Sequence, residues 1–148
     1  MKSFTLPIRF GIVVCASLIA YFLMLSLFDL HTNPFFSLFN GTITGFGIYE
    51  GIKYRRLELG DEYDYGVGFS TGMSIGFIAT IFFTIFLSIY STELKPQFLE
   101  KLASGYSRHY DIGVASFAFI VALMGFATTV VLTLSFMQLF KSSKSKTK

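Results

Sequence analysis

Four stretches of this 148-residue chain carry no Asp, Glu, Lys, Arg or His: residues 10–28, 32–49, 65–92 and 112–140. A helix needs about 20 mostly apolar residues to cross roughly 30 Å of hydrocarbon. The first, third and fourth stretches meet that requirement outright. The second is diluted by Asn33, Pro34, Asn40, Gly41, Thr42, Thr44, Gly45 and Gly47. It is still read as a span over 34–52, because Pro34 suits a first helical turn and Asn33 or Thr32 before it suits an N-cap. Apolar residues make up 53% of the chain and charged ones 14%, against about 25% charged in soluble proteins. A soluble domain of this size leaves too much surface exposed to hide that much Phe, Leu and Ile.

The expected fold is therefore all-α, an integral membrane four-helix bundle with spans at about 10–28, 34–52, 67–91 and 112–140. Residues 1–140 form the transmembrane domain and 141–148 a disordered basic tail. Lys and Arg set the orientation. Nine of them (Lys2, Arg9, Lys53, Arg55, Arg56, Lys141, Lys144, Lys146, Lys148) fall on one side, and Lys95, Lys101 and Arg108 on the other. The positive-inside rule then places both termini in the cytoplasm, which an even number of spans permits. The net charge of +3 is read as this asymmetry and not as a nucleic-acid surface. The first span has a basic start but is long for a signal sequence and lacks a small-residue cleavage site. Val14 is too bulky for a lipoprotein cut before Cys15, so an uncleaved helix is expected.

Outside the spans, residues 53–64 change sign abruptly, from Lys53, Arg55 and Arg56 to Glu58, Asp61, Glu62 and Asp64. They read as a solvated, charge-balanced turn or as a docking surface for a cytoplasmic partner. Residues 92–105 place Thr92, Leu94, Phe98, Leu99 and Leu102 near one helical face, with Pro96 early and Gly105 at the end. That pattern predicts a short amphipathic helix on the outer membrane interface.

Candidate chemistry is sparse. A single Cys excludes an internal disulfide, a CxxC pair and a thiolate cluster. Charged groups at mid-bilayer are costly and mark function; spans one, three and four contain none. Glu50, near the cytoplasmic end of span two and close to Lys53, is the best candidate for an ion or polar site, with Asn40 deeper in the same helix. Ten residues apart, the two are about 15 Å from one another along the axis and would not form one site. Asp29, His31, His109 and Asp111 should face the outer side, but neither pair has a ligand motif, and they read as interfacial polar residues. No catalytic residue, metal or cofactor is expected.

The strongest pattern is one of small residues. Gly68, Gly72, Gly76, Thr80, Thr84 and Ser88 recur at four-residue spacing in span three, along one side of the helix. Such a stripe lets another backbone approach closely. Span two has a shorter version, Ser37, Gly41 and Gly45, with Gly47 and Gly51 alongside; span four offers Ala118, Ala122 and Gly125. The neighbour of the span-three stripe is left open between span two and another chain, and such stripes also line narrow polar paths. The large residues of span three, including Ile75, Phe77, Phe82 and Phe83, are expected to face lipid or a partner, so that Phe83→Leu would be tolerated where Gly72→Leu would not.

The run Leu59-Gly60-Asp61-Glu62-Tyr63-Asp64-Tyr65-Gly66-Val67-Gly68-Phe69, followed by Gly72, Gly76, Ile89 and Tyr90, resembles a four-span family of unknown function common in Bacteroidetes. The resemblance implies four helices and carries no catalytic residues. The functional expectation is a non-catalytic accessory or scaffold subunit of a larger bacterial inner-membrane complex, with the lipid bilayer and other membrane subunits as partners. The alternative is a small homo-oligomeric transporter or channel using the Gly/Thr-lined helices and Glu50.

Overall fold

The computed structural model describes residues 2–30, 33–94, 97, 101 and 113–141. Four long helices account for nearly all of them: α1 (Lys2–Leu27), α2 (Pro34–Leu59), α3 (Tyr65–Ile89) and α4 (Val114–Lys141). No strand occurs among the described residues. Three helical segments, Thr5–Leu27, Tyr65–Leu94 and Val114–Lys141, are long and apolar enough to cross a membrane, and the chain is a membrane protein. α2 matches α1 in length but also carries Glu50, Lys53, Arg55, Arg56 and Glu58.

Local chemistry sets the helix ends. α1 closes with Asp29 in the left-handed region at φ 54°. The Leu30 N–H donates to the Leu25 carbonyl (3.0 Å) and the Asp29 N–H to that of Ser26 (3.3 Å), the paired bonds of a Schellman cap. Asn33 then caps α2 by accepting from the Phe35 N–H at 3.0 Å, with Pro34 in the first turn, as the sequence predicts. The segment expected as a solvated turn over 53–64 is instead helical as far as Leu59. Its residues are good helix formers, and the ion pairs Lys53–Glu50 (3.4 Å) and Arg55–Glu58 (2.8 Å) each span one helical turn. Gly60, at φ +52°, ends it. A 3₁₀ turn at Gly60–Glu62 follows, and Asp64 caps α3 by accepting from the Gly66 N–H at 3.1 Å.

α1 also begins earlier than its span, at Lys2, and so includes Arg9. α3 widens at its far end into a π-helical turn, Tyr90–Leu94, which holds Thr92 and Leu94 of the expected interfacial helix; the rest of that helix lies almost wholly outside the described residues. So do residues 142–148 of the basic tail, whereas Lys141 closes α4.

The helices pack as a rhombus. α2 and α3 lie across its short diagonal, and α1 and α4 occupy the far corners and barely meet. Ile48, Ile52 and Ile75 sit at its centre, all fully buried. The start of α1, the end of α2, the start of α3 and the end of α4 share one end of the bundle: Phe10 meets Tyr54 (6.1 Å), Tyr49 stacks on Phe140 (5.4 Å), and the Tyr63 hydroxyl donates to Met137 Sδ (3.7 Å). Burial pushes the Tyr63 phenol up, Arg56 nearby partly offsets that, and Asp64 adds to it; the hydroxyl stays protonated to make this bond. At the other end Phe22, Phe83, Phe86 and Tyr90 form an aromatic cluster, and Ser26 and Tyr90 share a 2.6 Å hydrogen bond.

Two expectations are corrected here. Ile75 and Phe83, assigned to lipid or a partner, are 0% and 9% exposed. α3 touches all three other helices, so burial extends well beyond its small-residue face.

Candidate functional site: the small-residue helix seams

The α3 stripe lies against α4. An added Cβ at Gly68 would meet the Tyr63 hydroxyl and, on α4, Met137; one at Gly72 would meet Thr133, and one at Gly76 would meet Thr129, while one at Gly125 would meet Thr80. Each step of four residues up α3 is a step of four down α4, an antiparallel register held through all four pairs. The occupant that the sequence left open is thus a helix of the same chain, and it is α4 rather than α2. At Gly72 the Ile52 side chain of α2 also closes in, 3.0 Å from the Cβ position.

Apart from Gly125, the α4 side of this seam uses residues that periodicity did not single out. Thr129 and Thr133 are fully buried. Thr129 donates its hydroxyl back to the Gly125 carbonyl at 2.9 Å, and both its methyl and its hydroxyl lie against Gly76. Thr71 does the same to Val67 at 2.8 Å on α3. Back-bonding of this kind satisfies a hydroxyl inside an apolar bundle without needing water. Towards the far end of the stripe Thr84 and Ser88 are half-buried, and Ser88 bonds to the Thr84 carbonyl at 2.9 Å.

Other glycines make the remaining close approaches. Gly11 of α1 admits Ile78, Gly47 of α2 admits Val14, and Gly51 admits Ile75. Gly11 carried no signal in sequence, standing alone in an apolar run. The α2 stripe behaves differently: among the described residues Gly45 reaches only Leu132 and Phe136 (3.5 and 3.7 Å from its Cβ position) and Gly41 has nothing within 4 Å, and Ser37 is exposed.

Glu50 and Asn40 are not brought together. The Glu50 side chain is 35% exposed and paired with Lys53. Asn40 is half-buried, with an Oδ1 that has no hydrogen-bond partner among the described residues. The charge that sequence reasoning missed is Arg55, whose side chain is 9% exposed; it pairs with Glu58 at 2.8 Å, and its Nε is buried without a partner among the described residues. In sequence, position 55 reads as loop because its charged surroundings mask a helix that continues to Leu59. Of the four polar residues expected on the outer side only Asp29 is among the described residues, and no group of three or more His, Cys, Asp or Glu among these is placed to hold a metal.

No curated protein and no solved structure matches the chain. A family does: residues 9–108, more than half the chain, covering most of α1 and all of α2 and α3, match the family described as protein of unknown function DUF4199, and the chain belongs to it.

Proposed function

We propose that this chain is a non-catalytic integral membrane subunit, an accessory or scaffold piece of a larger complex in the bacterial inner membrane. In this reading α2 crosses the bilayer with the other three helices, and both ends of the chain lie in the cytoplasm. The observation that carries the proposal is what the buried polar residues contact. Thr71 and Thr129 bond to carbonyls of their own helices, and Thr80 and Thr133 lie against the glycines of the facing helix. These groups set helix separation. The charged side chains described on α2, Glu50 to Glu58, gather towards one end, shared by the start of α1 and by Lys141. That supports the cytoplasmic assignment of this end by the positive-inside rule. Large apolar side chains on the outward faces of α1 and α4, such as Val13, Met24, Phe119 and Val131, offer contacts to lipid or neighbouring subunits, and neither nucleic acid nor a cofactor is invoked.

Gentle detergent extraction followed by mass spectrometry tests this. Membrane subunits recovered with the chain in fixed ratio are expected; recovery only as a homo-oligomer would contradict the proposal. The transporter reading draws on three buried polar atoms without partners among the described residues, Asn40 Oδ1, Thr84 Oγ1 and Thr133 Oγ1. Flux through liposomes holding the pure protein, abolished by Glu50→Gln, would favour it.

A further inference from the structure

The seam between α2 and α4 parts into a shallow, open, largely apolar groove of about 470 Å³, lined by Leu38, Gly41, Gly45 and Tyr49 on one side and Leu132 and Phe136 on the other. From Leu38 to Tyr49 the groove runs about 16 Å along the helix axis, close to half of the roughly 30 Å hydrocarbon thickness, or one leaflet. The helix face that lines it does not stop at Tyr49. Positions 45, 49, 53 and 56 follow the same helical stripe, so the groove leads directly to Lys53 and Arg56.

The structure joins these two parts through a pair of stacked rings. Lys53 Nζ lies 5.9 Å from the centre of the Tyr49 ring, Tyr49 stacks on Phe140 at 5.4 Å, and the Arg56 guanidinium lies 5.8 Å from the centre of the Phe140 ring. Lys141 follows Phe140 and is exposed. Glu50 offsets Lys53, but Arg56 enters neither of the two ion pairs found among the described residues. The groove is thus largely apolar over a length close to half the bilayer's thickness, with cationic side chains just beyond its Tyr49 end.

We propose that this groove binds one anionic phospholipid of the surrounding bilayer, its acyl chain lying between α2 and α4 and its phosphate at Arg56 and Lys53. Charge complementarity selects this occupant. A second copy meeting the first groove to groove would set Arg56 and Lys53 against their own counterparts, a like-charge contact that disfavours the pairing. A lipid phosphate at the same place neutralises them.

Native mass spectrometry of the full chain in mild detergent tests the site, with phosphatidylglycerol and phosphatidylcholine of identical acyl chains supplied in equal amounts. Wild type should retain phosphatidylglycerol preferentially. Arg56→Gln should cut that retention roughly fivefold, the effect of removing one cation facing an anionic lipid, and leave phosphatidylcholine unchanged. Gly41→Phe should lower retention of both lipids, because the added ring enters space that is open in the protein. Circular dichroism and elution volume establish that both variants fold. Equal retention of the two lipids by wild type would overturn the proposal, as would retention indifferent to both variants. A wild-type dimer that Gly41→Phe dissolves without changing lipid retention would assign the groove to a second copy instead.

Discussion

Helix α4 has a neighbour on each side, and the two seams differ in kind. Against α3, four small-to-large pairs hold a constant register and leave no room for an added methyl group. Against α2, Gly41 faces open space and Gly45 makes only ordinary contact. Yet both α2 and α3 carry small residues at four-residue spacing. The difference lies on the facing helix. α4 presents Gly125, Thr129, Thr133 and Met137 to α3, themselves four residues apart, and only Leu132 and Phe136 to the groove it shares with α2. Inside a bilayer, lipid tails are as apolar as leucine, so helices associate through close packing and hydrogen bonds rather than by escaping solvent. A small-residue stripe therefore stabilises a seam only where its partner supplies matching knobs, since a gap forfeits the dispersion contacts that would have favoured association.

That contrast can be broken by substitution. Gly76→Leu should have the largest effect, a loss of about 3 kcal/mol on unfolding in mixed detergent micelles, because the new side chain must displace Thr129 or separate two helices. Phe83→Leu should cost about 1 kcal/mol by the same measurement, since it removes the edge-on contact with Phe22 at 6.4 Å; this replaces the tolerance expected from sequence. Gly41→Leu should change stability by no more than about 0.5 kcal/mol. A Gly41 variant as damaging as the Gly76 one would erase the distinction between the seams.

What the sequence reveals follows the same physics. The helices themselves were legible because uncharged runs of membrane length have few other readings, and the turn before α2 was legible from Asn33 and Pro34. The span-three stripe was legible because glycine and threonine stand out in a run of Phe and Ile. Which large residues are buried was not. On a water-exposed helix a polar face marks the outside, whereas a helix in lipid has no such face, so Ile75 and Phe83 look the same as Phe82 and Ile85. The groove is invisible in sequence for a related reason, since nothing in Ser37, Gly41 and Gly45 tells a filled stripe from an open one. The helical extension to Leu59 was obscured by its charges, which suggest a loop while their one-turn ion pairs support a helix. The burial of Arg55 is hidden with it.

The central claim is that the α3 stripe is satisfied inside one chain by α4 in the observed register. In a Cys15→Ala background, cysteines placed at Gly76 and Thr129 should join under mild oxidation to give a cross-linked monomer. Cysteines at Gly68 and Thr129, about 12 Å out of register along the axis, should not. Covalent dimers from the first pair, or equal linking by both, would contradict the account.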